Sequence, residues 1–145
     1  MRIPFGGWVL VADARKALVL RNGGNVLDLK LQVQQVLDAP PNPATRDQGA
    51  DKPGRAVSVG RPSAFEQTDW HALAEVQFAE RIVQMLEKVS HEEAVDALVL
   101  VAPPRMLASL RKGLSDQLKR AIIAELDKDF TKHPVGEIQR YLTLA

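Results

Sequence analysis

Basic side chains separated by glycines mark the segment "DKPGRAVSVGR", which carries Lys52, Arg55 and Arg61. Gly54 and Gly60 give this stretch of backbone conformational freedom. Lysine and arginine bind phosphates through charge and hydrogen bonds, and a polar segment of this kind can become ordered when it meets a phosphate backbone. The segment contains no aromatic residue on which a base could stack. We therefore predict that Lys52, Arg55 and Arg61 contact RNA phosphates.

A second basic stretch follows the apolar run 98–102, in the sequence "LVLVAPPRMLASLRKGL". The junction between the two could hold a phosphate or merely join a strand to a helix. Pro103 and Pro104 lack the backbone N–H groups that a phosphate cradle needs, so the sequence argues against a nucleotide site. Arg105, directly after the prolines, is a further candidate for RNA contact.

Other site chemistries find little support in the sequence. Metal-dependent nuclease chemistry needs several converging carboxylates, and Asp96 lies at the wrong end of its predicted strand to join Asp13. The three histidines, His71, His91 and His133, show no metal-ligand spacing, and no serine stands in a G-x-S-x-G pattern. "GGN" is too short for a phosphate loop. We expect no catalytic residues, metal site or cofactor.

The composition is that of one ordinary globular domain covering residues 1–145, with 46% hydrophobic residues and a net charge of +1. No apolar run approaches the roughly 20 residues that cross a bilayer, so no membrane span is expected. The chain has no cysteine, and Asp13 interrupts its N-terminal apolar run before any cleavage pattern. These features predict a cytoplasmic protein.

The N-terminal third predicts three antiparallel strands. "GWVLVAD" (7–13) and "KALVLRN" (16–22) are apolar runs joined by a very short hairpin. "NGGN" (22–25) predicts a second tight turn. A third strand should begin there, because Leu27, Leu29, Leu31 and Val33 alternate with polar residues.

Residues 39–67 are rich in proline and glycine and predict a long loop, which is either functional or disordered. Thr68 and Asp69 predict the N-terminal cap of a long amphipathic helix that continues to about Ser90. Residues 68–96 are mainly acidic, whereas residues 103–120 are mainly basic. The two charged regions are either solvated helix faces that attract one another or, for the basic one, a surface for RNA.

The C-terminal half predicts alternating strands and helices. Residues 96–102 suit a central parallel strand, and a helix should follow from about Pro104 to Gly113. Residues 119–130 fit a helix or a strand, and topology favours a strand near 121–126. A last helix should start near Pro134, with Ile138, Tyr141 and Leu142 inside. The resulting α/β order, βββαβαβα, is that of a ribonuclease H-like fold.

Several stretches together resemble the bacterial host attachment protein family: "GWVLVADARKALVL", "DKPGR", "HALAEVQFAERIVQML", "LVLVAPPRMLASLRKGL" and "ELDKDFTKHPVGEIQRYL". That family is similar to the middle domain of the archaeal and eukaryotic peptide-chain release factor. The resemblance implies a release-factor-like fold and contact with tRNA or the ribosome, whereas the family's name implies a role in attachment to host cells. In the release factor, a Gly-Gly-Gln in the loop before the long helix assists ester hydrolysis. The loop here, 39–67, has no Gly-Gly-Gln.

These observations favour a non-catalytic RNA- or ribosome-associated domain. Two alternatives stay open at this point. One is a protein-interaction module in attachment or surface physiology that acts through the acidic helix. The other is a hydrolase of an RNA-linked ester, for which Gln48 is the only support in the sequence. The sequence does not indicate an oligomeric state.

Overall fold

The structure is a computed structural model that describes residues 1–41 and 64–145. Strands and helices alternate in its second half, so the predicted mixed α/β class is confirmed. The elements, in chain order, are β1 (Trp8–Ala12), β2 (Lys16–Asn22), β3 (Leu31–Asp38), α1 (Ala64–Glu92), β4 (Leu98–Val101), α2 (Pro104–Gly113), α3 (Asp116–Ala121), β5 (Ile122–Leu126) and α4 (Val135–Leu144).

Among the described residues, five strands form one sheet in the order β3-β2-β1-β4-β5. β1 pairs antiparallel with β2, and β2 with β3, while β1 and β4 are parallel, as are β4 and β5. Strands β1, β3, β4 and β5 therefore all end at the same side of the sheet. We call this side the carboxyl edge; it comprises residues 13–16, 38–41, 102–105 and 127–134.

The sheet separates two hydrophobic clusters. One cluster lies under α1, α2 and α3 and includes Leu10 and Phe78. The other lies under α4 and includes Val9 and Ile138. β1 and β4 are buried on both faces, which explains their unbroken runs of apolar residues. Each fully buried side chain of this size contributes about 1.5–3 kcal/mol of transfer free energy.

The first hairpin confirms the short connection predicted between β1 and β2. Its geometry depends on Asp13, whose Oδ1 accepts hydrogen bonds from the backbone N–H groups of Arg15 (2.8 Å) and Lys16 (2.7 Å). An aspartate that binds the backbone two and three residues later is a common turn former. The Asp13 side chain thus provides the turn chemistry that Ala14 and Arg15 lack.

The second connection is longer than predicted, because β3 begins at Leu31 rather than directly after "NGGN". Asn25 Oδ1 accepts hydrogen bonds from Leu27 and Asp28 N–H, which holds residues 23–30 in an irregular loop. Leu27 is therefore 86% exposed instead of lying in a strand. Side-chain capping of the backbone competes here with strand pairing.

The long helix α1 begins at Ala64, so the predicted cap at Thr68 and Asp69 is wrong: both residues lie within the helix. Residues 64–67 are correspondingly helical rather than part of the predicted loop 39–67. Residues 42–63 of that loop lie outside the described residues. A capping residue type inside a helix is not unusual, because helix capping is a local preference that a longer helix can override.

The C-terminal half follows the predicted pattern closely. β4, α2 and α4 are confirmed, with Pro104 in the first turn of α2 and with Ile138 and Leu142 fully buried. The ambiguous segment divides into two parts, since α3 ends at Ala121 and β5 starts at Ile122. Ser115 is the N-cap of α3, and its Oγ accepts a hydrogen bond from Leu118 N–H.

Candidate interaction surface at the carboxyl edge

Asp13 lies at the carboxyl edge, where a sheet of this kind could present a catalytic carboxylate, but its oxygens are already hydrogen bonded. Oδ1 accepts the two backbone N–H groups of the hairpin, and Oδ2 accepts the Thr131 hydroxyl at 2.7 Å. Asp96 precedes β4 and thus lies at the opposite side of the sheet from Asp13. The geometry gives Asp13 a structural role in the hairpin.

Thr131 connects the loop after β5 to this hairpin. Its hydroxyl lies 2.7 Å from Asp13 Oδ2 and 2.7 Å from Asp129 Oδ1, and its side chain is almost fully buried. One hydroxyl proton can be donated to one carboxylate at a time. Within the described ranges, no group of three or more histidine, aspartate or glutamate side chains could hold a metal ion.

A polar cleft lies beside Asp13 at the carboxyl edge. Its basic lining residues are Arg15, Lys16, Lys132 and His133, and its acidic ones are Asp13 and Asp38. The three positive charges of Arg15, Lys16 and Lys132 outnumber the two negative charges of Asp13 and Asp38, so positive charge predominates on the lining. Such a wall attracts anions.

An apolar groove of about 270 Å³ adjoins the cleft, and Arg15 lines both. The groove lies between Pro40 and Pro41 after β3 and the first described turns of α1, with Trp70 and Leu73 on the helix side. Trp70 is 38% exposed and Leu73 is 49% exposed. The groove thus combines an accessible aromatic ring with nearby cations.

Arg105 occupies the same side of the molecule, at the start of α2. Its guanidinium lies 3.5 Å from the carboxylate of Glu75, which also lines the groove, and its side chain remains 73% exposed. The predicted attraction between the acidic and basic helices is therefore realised at this contact. An ion pair this exposed contributes at most about 1 kcal/mol, so Arg105 can exchange Glu75 for another anion at low cost.

Lys52, Arg55 and Arg61 lie outside the described residues, so the structure does not place their side chains. Pro41, the last described residue before this segment, lies at the carboxyl edge in the groove wall. The described chain resumes at Ala64 in α1, which runs from the carboxyl edge to the opposite side, where Ala94 accepts a hydrogen bond from Trp8 Nε1. The sequence-predicted Arg105 therefore lies at the same edge as one attachment point of the basic segment.

Sequence reasoning missed Trp70, Arg15 and Lys132 as surface candidates. Trp70 lies in α1 among residues that fit an apolar helical pattern, and the sequence does not reveal that it is 38% exposed in the fold. Arg15 and Lys132 are 117 positions apart in the chain and meet only because β1 and β5 end at one edge. Single basic residues in turns carry no sequence signal of this kind.

The histidines do not come together. His71 lines the groove, His91 is exposed near the end of α1, and His133 contacts Glu137 at 2.8 Å. His133 also packs edge-on against the rings of Phe130 and Tyr141. Their positions fit three separate local roles.

The fold and the surface define a mixed α/β domain whose carboxyl edge carries a basic cleft beside an aromatic groove. Residues 8–142 match the family described as "Protein required for attachment to host cells", and the chain belongs to that family. It is also 30% identical over 81 residues to "Uncharacterized protein RP470" of Rickettsia prowazekii (strain Madrid E). That match covers 54% of this chain and 54% of the relative, so it spans about half the length of each.

None of the helices in the described ranges is both long enough and apolar enough to cross a membrane.

Proposed function

We propose that this chain is an RNA- or ribosome-associated domain that binds through its carboxyl edge and does not itself catalyse a reaction. The observation that carries the proposal is the convergence of cations from separate elements at this edge. Arg15 lines the groove that contains Trp70, Lys132 lines the adjoining cleft, and Arg105 pairs with Glu75 of the groove. The segment with Lys52, Arg55 and Arg61 is joined to the same edge through Pro41. Such an activity suits the cytoplasm.

The surface is chemically complementary to a single-stranded nucleic acid. Cations neutralise backbone phosphates and release condensed counterions, which drives binding and makes it salt dependent. An accessible indole adds base stacking, worth about 1–3 kcal/mol per base. Trp70 thereby supplies the aromatic contact that the basic segment lacks.

The sequence resemblance to the release factor adds a second line of support. The described residues form a sheet of order β3-β2-β1-β4-β5, and the long helix α1 follows β3 in the chain, which is compatible with the middle domain that the sequence resembles. In the release factor, the segment between the third strand and the long helix is the one that approaches tRNA. The same segment carries Lys52, Arg55 and Arg61 here.

A non-catalytic role is supported by the hydrogen bonding of Asp13 and by the absence of Gly-Gly-Gln from the sequence. The competing hydrolase hypothesis depends on Gln48, which lies outside the described residues. Incubation with peptidyl-tRNA tests it directly: we expect no ester cleavage above the spontaneous rate. Turnover that Gln48→Ala abolishes would refute the non-catalytic role.

Binding to a labelled single-stranded oligouridylate and to unfractionated tRNA tests the proposal. The first variant combines Lys52→Ala, Arg55→Ala and Arg61→Ala, and the second combines Arg15→Ala, Arg105→Ala and Lys132→Ala. We expect each to weaken binding and to reduce the salt slope for the single strand by about 2. Trp70→Ala should weaken binding without changing the slope.

The matched control combines Arg2→Ala, Lys30→Ala and Lys88→Ala, three exposed cations away from the carboxyl edge. It changes the net charge by the same amount as each test variant. We expect it to bind almost as well as the wild-type chain. Equal binding by the wild-type chain, the two triple test variants and the control, or binding without salt dependence, would contradict the proposal.

A protein-interaction module in attachment or surface physiology is the second candidate. The family description favours it, as does an exposed apolar row of Trp70, Leu73 and Val76 on the acidic helix α1. Pull-down from a lysate with and without nuclease separates the two functions. Captured material that nuclease removes supports RNA association. Captured material that is insensitive to nuclease, but is lost when Leu73→Glu and Val76→Lys are introduced, supports a protein partner.

A further inference from the structure

Strand β3 is an edge strand of the sheet. It is eight residues long, Leu31–Asp38, and pairs with β2 on one side. Within residues 1–41 and 64–145, no strand pairs with its other side. The outward N–H of Leu31, at the start of the strand, donates to Gln139 Oε1 at 2.9 Å. Beyond such a contact, an edge strand presents unpaired N–H and C=O groups to an extended chain that approaches it.

The composition of β3 does little to prevent pairing. Proteins usually protect an edge strand with lysine, proline or inward-pointing charge. β3, with the sequence "LQVQQVLD", has no lysine or proline, and its only charged residue, Asp38, is at the very end. Five consecutive residues, 32–36, are exposed.

An irregularity in the pairing of β3 with β2 brings two valines to one face. Val33 lies opposite Leu20 and Val36 opposite Leu18, while Gln34 has no partner on β2. Leu18 and Leu20 both belong to the cluster under α4, so Val33 and Val36 share that face of the sheet. Val33 is nonetheless 45% exposed and Val36 50% exposed.

We propose that β3 pairs antiparallel with β3 of a second copy of this chain, which continues the sheet across a two-fold axis. The dyad lies between Gln34 and Gln35. Val33 of each copy then faces Val36 of the other, and Gln32 faces Leu37 on the opposite side of the sheet. This register keeps apolar residues of both copies on matching faces, since residues directly opposite in a sheet point to the same side.

The charges at the two ends of β3 favour a second copy in this orientation. Lys30 precedes the strand and Asp38 ends it, so antiparallel pairing brings the basic end of one strand to the acidic end of the other. Parallel pairing would place like charges together. The interface is isologous, which makes it closed and self-limiting as a dimer. It shares Asp38, the last residue of β3, with the carboxyl-edge surface proposed above.

Sedimentation velocity over a concentration series tests the dimer, with the full chain. We expect a reversible monomer–dimer equilibrium. Val36→Lys should raise the dissociation constant about tenfold or more, since it replaces both Val33–Val36 contacts and adds a charge to the edge. Leu27→Lys is the matched control, because Leu27 is an exposed apolar residue of the preceding loop, and it should leave the equilibrium unchanged.

Cross-linking tests the register, and the chain's lack of cysteine makes the experiment clean. Val33→Cys and Val36→Cys proteins are oxidised separately and as a mixture. We expect the mixture to form a disulfide-linked dimer faster than either protein alone, because positions 33 and 36 face each other and neither faces itself. A wild-type chain that stays monomeric throughout, or equal cross-linking in all three samples, overturns the proposal; slow exchange of the outward β3 amides in such a monomer would assign the edge to another segment of the same chain.

Discussion

Asn22 shows how one buried side chain can organise several segments. Its Nδ2 donates to the carbonyl groups of Ile3 (2.9 Å) and Pro4 (3.2 Å), and its Oδ1 accepts from the N–H groups of Gly24 (2.8 Å) and Lys30 (3.0 Å). The residue is completely buried. Asn22 therefore joins the N-terminal segment, the end of β2 and the loop before β3.

Asn22→Asp should reduce the free energy of unfolding by about 2–4 kcal/mol, as measured by urea denaturation at neutral pH. The carboxylate would keep the two acceptor bonds but would lose the donors and face three carbonyl oxygens, those of Ile3, Pro4 and Asn25. Asn25→Asp is the control, since Asn25 uses its Oδ1 to accept from Leu27 and Asp28 N–H, and aspartate does this equally well. Equal losses for the two variants would show that the Nδ2 bonds contribute little.

Residue types alone predicted a turn at "NGGN" but not this network. Asparagine favours turns through its side chain, which the sequence reveals. The partners Ile3 and Lys30 depend on where the N-terminal segment and the next strand lie, and local sequence does not specify that. The same limit applies to Thr131 and Asp13, which are distant in the chain and hydrogen bonded in the fold.

At the scale of elements, Glu87 connects α1 to the junction between α2 and α3. Its carboxylate, on α1, accepts hydrogen bonds from Ser115 N–H (3.0 Å) and Ser115 Oγ (2.9 Å) at the junction of α2 and α3. The same Ser115 Oγ accepts from Leu118 N–H and so caps α3. The acidic residue of the long helix thus serves packing rather than a solvated face.

Glu87→Ala should destabilise the fold by about 1–3 kcal/mol, because both Ser115 donors lose their charged acceptor. Alanine has the higher helix propensity, so a weaker α1 would not explain the loss. The stability of Glu87→Gln should lie between that of the wild type and that of Glu87→Ala, since its amide retains one acceptor oxygen. Thermal or urea unfolding measures the series, and exposed Lys88→Ala in the same helix should be near neutral; a neutral Glu87→Ala would show that the junction does not need this contact.

Element types were predictable where periodicity was strong, as for β1, β2, β4, α2 and α4. The residues at which the elements begin and end were less predictable. Thr68 and Asp69 have the residue types of an N-cap and so predict that α1 starts there, although the helix begins at Ala64. The short helix α3 was missed because six residues are too few to show a helical period, and its cap, Ser115, was the only local signal.

At the scale of the whole molecule, the central strands β1 and β4 belong to both hydrophobic clusters. Alternate residues of β1 point to opposite faces, so Leu10 packs under α1 while Val9 packs under α4. Neither layer of helices can leave without exposing one face of the same buried strands. The two clusters are therefore expected to unfold together, as is usual for a domain of this size.

Ile138→Ala tests that coupling from the far side of the sheet. Ile138 on α4 is fully buried in the second cluster, so the substitution should cost about 2–5 kcal/mol. Trp8 belongs to the first cluster and is 2% exposed. In a Trp70→Phe background Trp8 is the only tryptophan, and its fluorescence transition in urea should shift to lower denaturant by the same amount as the far-UV circular dichroism transition. If α4 unfolded independently, Ile138→Ala would instead split the two transitions and leave that of Trp8 where it was.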